Sequence, residues 1–100
     1  MKHTLVRYRV KPEAAAENRR LVEAVLDALM SQSPDGVSYV VVELGDGSFV
    51  HLKTHFGDEV FEMGGLPAFQ AFRRDIAERC DEPPLASDVN IVGRYRMRFA

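Results

Sequence analysis

Residues 4–10 read Thr-Leu-Val-Arg-Tyr-Arg-Val, with Val6, Tyr8 and Val10 at alternate positions and Arg7 and Arg9 between them. Successive side chains of a β-strand point to opposite faces, so this period of two predicts a strand that buries one side and leaves a basic side over. A strand of this kind needs partner strands and a layer to cover its apolar side. The rest of the sequence is therefore read for both.

Pro12 and Glu13 open a helix, where proline suits the first helical position and an acid meets the positive end of the helix dipole. Leu21, Val22, Val25, Leu26 and Leu29 recur at three- and four-residue steps and make one face apolar, with Asn18, Arg19, Arg20, Glu23 and Asp27 on the other. Ser33-Pro34-Asp35-Gly36 stops the helix. Val37 to Leu44 and Ser48 to Phe56 are strand-like runs joined by Gly45-Asp46-Gly47, which predicts a β-hairpin. Gly57-Asp58-Glu59 and Gly64-Gly65 bracket a loop. Leu66-Pro67 begins a second helix, with Phe69, Phe72, Ile76 and Cys80 on one stripe and Pro83-Pro84 as its breaker. Ser87 to Phe99 alternates again and predicts the last strand.

The order β-α-β-β-α-β predicts an α+β, ferredoxin-like domain over residues 1–100, with a four-stranded antiparallel sheet in the order 4-1-3-2 and two helices on one face. Across the hairpin, Leu44 pairs with Ser48, Val42 with Val50 and Val40 with Leu52. Setting Tyr8 near Val50 and Val6 near Leu52 joins the apolar sides of the first and third strands. The face beneath the helices is then Val6, Tyr8, Val10, Val40, Val42, Val50 and Leu52. The opposite face carries Leu5, Arg7, Arg9, Val37, Tyr39, Val41, Phe49, His51, Lys53 and His55. Its apolar cluster of Val37, Tyr39, Val41 and Phe49 predicts a homodimer packed through that face.

Thirteen basic against fifteen acidic residues give a net charge of −2, which offers no general attraction to nucleic acid or to an anionic membrane. Arg94, Arg96 and Arg98 share one side of the last strand, with no stacking aromatics between them, and are read as a solvated edge. No apolar run is long enough for a membrane span and no signal-peptide core precedes the first strand, so a cytoplasmic protein is expected. The single cysteine, Cys80, permits no intrachain disulfide and is read as a small core residue. No cofactor motif is present. His51 and His55 lie about 13 Å apart if on one strand, too far to share a metal ion, and His3 with His55 would be an incomplete ligand set.

Pro34-Asp35-Gly36-Val37-Ser38-Tyr39-Val40-Val41, Phe49-Val50-His51-Leu52 and Leu66-Pro67-Ala68-Phe69-Gln70-Ala71-Phe72, together with the element order, resemble the antibiotic-biosynthesis-monooxygenase-like domains. The resemblance covers nearly the whole chain. It implies a dimeric α/β barrel with a small-molecule cavity between sheet and helices. It also implies an activity among cofactor-independent oxygenases of phenolic or quinol-like compounds, haem degraders, or domains without a known reaction. The haem degraders use an Asn, Trp and His set. This chain has no tryptophan, and neither Asn18 nor Asn90 is on the first strand, so haem breakdown is not expected.

The candidate catalytic residue is His51, whose imidazole titrates near neutrality and could move a phenolic proton; the competing reading is a polar residue at the dimer interface. Tyr8, Tyr39, Phe56 and Arg7 are the candidate substrate-binding residues for a small aromatic ligand. No metal and no bound cofactor are expected. A non-catalytic homodimer that binds a small molecule or scaffolds a partner is the alternative to an enzyme.

Overall fold

A computed structural model of the protein describes residues 1–58 and 61–97. Glu59, Arg98 and Phe99, assigned above to a loop and to the last strand, lie outside the described residues. The strands are β1 (Lys2–Val10), β2 (Val37–Glu43), β3 (Ser48–His55) and β4 (Cys80–Val89); the helices are α1 (Ala15–Gln32), α2 (Pro67–Arg73) and the single turn α3 (Ile76–Arg79). The four strands form one antiparallel sheet in the order β2-β3-β1-β4, as the sequence predicts. The fold is α+β and ferredoxin-like. Tyr8, Val10 and Phe49 of the sheet pack with Val22 and Val25 of α1, Met63, Phe72 and Cys80 to form the core.

The local signals explain most of the elements. Pro12–Ala14 is a 3-10 turn that leads into α1, with Pro12 at its start. Ser33 ends α1 in the left-handed conformation, its N–H donating to the Leu29 carbonyl at 2.8 Å. The β2–β3 turn closes through Leu44 N–H to the Ser48 carbonyl at 2.8 Å and Gly47 N–H to the Leu44 carbonyl at 3.2 Å. Gly47 has φ of +87°, and a Cβ there would stand 3.2 Å from the Val10 carbonyl oxygen, so both conformation and space require glycine.

Two expectations about the sheet are corrected. The hairpin register holds, with Val42 opposite Val50 and Val40 opposite Leu52, but β1 pairs with β3 one residue away from the expected setting. Tyr8 faces Phe49, Val6 faces His51, and Arg7 faces Val50. Val37, Tyr39, Val41, Phe49, His51, Lys53 and His55 therefore share the helix side with Val6, Tyr8 and Val10. Val40, Val42, Val50 and Leu52 join Leu5, Arg7 and Arg9 on the outer face. The slip costs nothing in β1, whose arginines stay outside. In β2 and β3 it exchanges Val40, Val42, Val50 and Leu52 for Val37, Tyr39, Val41 and Phe49, and brings His51, Lys53 and His55 to the helix side with them. The larger rings of Tyr39 and Phe49 then fill the space beneath the helices, where Phe49 is 2% exposed.

The last strand also begins earlier than expected. The second helical segment breaks at Arg74–Asp75, where Asp75 has φ of +58°, and β4 starts at Cys80, so Cys80 reaches the core from a strand and not from a helix. Pro83 and Pro84 lie within β4. They are tolerated because β4 is an edge strand paired only with β1, and because the register shifts between Arg7↔Leu85 and Arg9↔Glu82, leaving both prolines opposite Tyr8 in a bulge. Residues 90–97 leave the ladder, so Arg94 and Arg96 are exposed but not on a strand.

Candidate functional site

The helix side of the sheet carries a row of buried polar groups in an otherwise apolar layer. Tyr8 is 1% exposed, Asn18 0% and His51 4%. Tyr39 Oη lies 2.5 Å from His51 Nδ1; His51 Nε2 lies 2.7 Å from Tyr8 Oη; Asn18 Nδ2 donates to Tyr8 Oη at 2.9 Å; and Arg79 Nε donates to Asn18 Oδ1 at 3.3 Å. β2, β3, β1, α1 and α3 each contribute one member. Arg79 is itself held by donating to the carbonyls of Phe72 and Arg74 at 2.5 and 2.8 Å, at the C-terminal end of α2, and its guanidinium lies over the Phe72 ring.

The proton positions in this row follow from what each group can do. Arginine only donates, so Asn18 must turn its oxygen to Arg79 and its amide nitrogen to Tyr8. The Tyr8 hydroxyl accepts that bond, and its own hydrogen has His51 Nε2 as acceptor. Neutral His51 then carries its proton on Nδ1 and donates it to Tyr39 Oη. Burial pushes the His51 pKa down to about 4, so the ring is neutral at pH 7. Burial raises the Tyr8 and Tyr39 hydroxyls well above the ordinary phenol range, so both stay protonated.

The row ends in a cavity. About 390 Å3 of space between the sheet and α2–α3 is lined by Val6, Phe69, Phe72 and Ile76, with Tyr39 and His51 on its sheet wall and Lys53 and Arg73 as its cationic members. That volume falls in the range of small-molecule sites, roughly 300–1,000 Å3. The His51 ring packs against Phe72 with centroids 5.3 Å apart, and Tyr8 stacks on Phe49 at 5.6 Å, which fixes the inner wall. Both ring nitrogens of His51 are engaged by tyrosine hydroxyls, and among the described residues no group of three or more His, Cys, Asp or Glu could hold a metal ion.

Of the five candidate residues, the structure brings three together. His51, Tyr8 and Tyr39 all line the cavity, so His51 and Tyr8 share a face, where opposite faces were expected, and His51 stands beside Val6 and Val41 and not beside Arg7. Arg7 lies on the outer face opposite Val50. Phe56 follows the end of β3 and lines a second hollow, between the outer face and residues 91–97. His3 donates to or accepts from Thr54 at 2.7 Å on that outer side, away from His55. Sequence reasoning missed Asn18 and Arg79. Asn18 had a signal: it stands four residues before Val22 and seven before Val25, the other buried positions of α1, so it continues the apolar stripe. Arg79 had none, because its role depends on where α3 turns.

The arrangement defines a class: a ferredoxin-like α+β domain with a mostly apolar cleft between the sheet and the helices. Solved structures share this fold. A protein from Mycobacterium tuberculosis superposes with a TM-score of 0.72 at 20% identity over 93% of this chain and 96% of its own. Two others carry the name "putative antibiotic biosynthesis monooxygenase". The one from Caulobacter crescentus has a TM-score of 0.72 at 18% identity, covering 92% of this chain and 90% of that one. The one from Bacteroides thetaiotaomicron has 0.75 at 15% identity, covering 97% and 95%. The chain thus has the fold of the antibiotic-biosynthesis-monooxygenase-like proteins, as its sequence phrases imply; at these identities the likeness concerns the fold. No protein-family model matches the sequence, and no curated protein matches it.

Proposed function

We propose that residues 1–100 form a cofactor-independent monooxygenase-like domain that takes an electron-rich phenol or quinol into the cavity between sheet and helices, and that it works as a homodimer. The observation that carries this reading is the hydrogen-bonded Tyr39–His51 pair on the sheet wall of a cavity whose other walls are mostly aliphatic and aromatic, with Thr4, Tyr8, Lys53 and Arg73 as the further polar members. Such a cavity suits a flat aromatic molecule with one oxygen to be held. In the balanced reaction, a phenol and O2 give a quinone and water. One oxygen atom becomes the new carbonyl, the other leaves as water with the phenolic and ring hydrogens, and the substrate supplies all the electrons.

The residues divide the work. Phe69, Phe72 and Ile76 give the reacting ring an apolar wall. Lys53 and Arg73 favour a substrate that arrives as its phenolate. His51 does not take the phenolic proton itself. Burial holds its pKa down to about 4, which makes it a poor base for a phenol. It holds Tyr39 at the substrate's oxygen. The weak basicity of His51 is also the observation that favours the second reading, a domain that binds such a molecule without transforming it.

The dimer rests on the outer face. Val40, Val42, Val50 and Leu52 form an apolar patch there, with Val42 half exposed, and Ile91, Tyr95 and Met97 of the segment beyond β4 are also exposed. A second copy against this face would cover both, and Arg7 and Phe56 would then serve the contact between copies and not the cavity. Among the described residues no helix is long and apolar enough to cross a membrane.

The test is oxygen uptake by the purified protein with an electron-rich phenol, corrected for autoxidation. Uptake that falls at least about tenfold in His51→Ala, or about 1.4 kcal/mol of transition-state stabilisation, supports the oxygenase reading. Unchanged turnover in that variant removes His51 from the reaction. Saturable binding of the phenol without uptake replaces the oxygenase with the binding domain.

A further inference from the structure

The row Arg79–Asn18–Tyr8–His51–Tyr39 has a direction, and its cavity end is the free hydrogen of the Tyr39 hydroxyl. We propose that the site selects ligands by a carbonyl or oxyanion oxygen that accepts this O–H, and that Arg79 and Asn18, on the far side of the core, set that polarity. The inference rests on the cavity being the ligand site, as proposed above, but it does not require that oxygen chemistry occurs there.

The direction begins at a group with no freedom. Arg79 cannot accept a hydrogen bond, and its guanidinium is anchored on the carbonyls of Phe72 and Arg74. It therefore orients the Asn18 amide. Asn18 donates to Tyr8, so Tyr8 spends its hydrogen on His51 Nε2. That choice places the remaining imidazole hydrogen on Nδ1, facing Tyr39 Oη at 2.5 Å. Tyr39 receives its bond from behind and has its own hydrogen left for the cavity. In the reverse arrangement His51 and Asn18 would both donate to Tyr8, and the Tyr8 hydrogen would have no acceptor in a space that is 1% exposed. Bonds aligned head to tail also polarise one another, so the final O–H is a better donor than an isolated phenol.

Chemical selectivity follows. A ketone, a quinone or a phenolate offers Tyr39 an acceptor. A hydrocarbon of the same shape offers none and leaves the half-buried O–H without a ligand partner. Lys53 and Arg73 add a preference for negative charge on the same molecule.

The experiment uses two probes of one shape, 9-fluorenone and fluorene, with calorimetric affinities and the infrared carbonyl stretch of bound fluorenone. Wild type binds fluorenone at least about fivefold tighter than fluorene, the value of one net hydrogen bond, and lowers the carbonyl stretch relative to fluorenone in hydrocarbon solvent. Tyr39→Phe removes the preference and the shift while fluorene affinity is unchanged, which also shows that the cavity is intact. Asn18→Asp retains an acceptor for Arg79 but accepts from Tyr8, so it reverses the row. Fluorenone then loses its advantage although Tyr39 is still present. Equal affinity for the two probes with no carbonyl shift, or loss of both probes alike in Tyr39→Phe, overturns the inference while leaving the cavity a ligand site. Failure of both probes to bind wild type overturns the inference and the cavity reading together. Absence of oxygen uptake with the fluorenone preference intact overturns only the oxygenase.

Discussion

Replacing Tyr8 with Phe removes one oxygen atom from the centre of the core, and the cost can be worked from its neighbours. That oxygen serves two groups at once, Asn18 Nδ2 at 2.9 Å and His51 Nε2 at 2.7 Å. Neither has a second partner to turn to, because Asn18 Oδ1 is committed to Arg79 and His51 Nδ1 to Tyr39. Each orphaned group costs about 1–3 kcal/mol, and the phenylalanine regains part of this because no hydroxyl has to be buried. The net loss is about 2–4 kcal/mol, or roughly 10–25 °C in Tm for a domain of this size. Tyr39→Phe is the internal comparison. It orphans only His51 Nδ1, beside a cavity where water can replace the lost partner, so it costs about 1 kcal/mol or less. Urea unfolding at pH 7 and fixed protein concentration measures both, with unchanged m-values confirming comparable transitions. The row also predicts that Asn18→Leu costs less in the Tyr8→Phe background than alone, since its partner is already gone. A Tyr8→Phe variant within about 0.5 kcal/mol of wild type, or one less destabilised than Tyr39→Phe, refutes the reasoning.

Stability should depend on pH through His51. Its pKa is about 4 in the folded protein and 6.5 in the unfolded chain, so the unfolded state binds the extra proton between those values. The contribution is therefore complete above about pH 7 and shrinks as pH falls toward 4, by about 3 kcal/mol. His51→Gln should flatten that slope, and a slope that persists in the variant assigns it elsewhere. At the alkaline end, two of the three tyrosines, Tyr8 and Tyr39, should stay protonated through the ordinary phenol range until the protein unfolds. Ultraviolet titration that ionises Tyr8 and Tyr39 reversibly near pH 10 would contradict their burial. Light scattering should give the mass of a dimer at micromolar protein, and Val42→Glu on the outer face should shift it to monomer without loss of helicity; a wild-type monomer removes the dimer from the proposal.

The element order and the hairpin register were legible because the first three strands and the first helix each carry both a period and a stop signal; the bounds of the second helix and of the last strand were not. The face of the hairpin was not. Val37, Tyr39, Val41 and Phe49 alternate with Val40, Val42, Val50 and Leu52, so either set could be core by hydrophobicity alone. Ring size decides between them, and that becomes visible only against the helices. The same ambiguity placed His51 on the wrong side of the sheet from Tyr8, although both residues were singled out. Pro83 and Pro84 read as breakers because a ladder N–H cannot come from proline, and the edge position and bulge that spare them depend on the pairing with β1. Asn18 read as solvated because polarity alone says nothing about whether a buried partner waits for it.

The most direct test of the account is the long-range proton–nitrogen NMR spectrum of the His51 ring at pH 7. The hydrogen-bonded row predicts a neutral imidazole with its proton on Nδ1 and a bare, accepting Nε2, unchanged down to about pH 5. A proton on Nε2, or a ring already charged at pH 6, would contradict it.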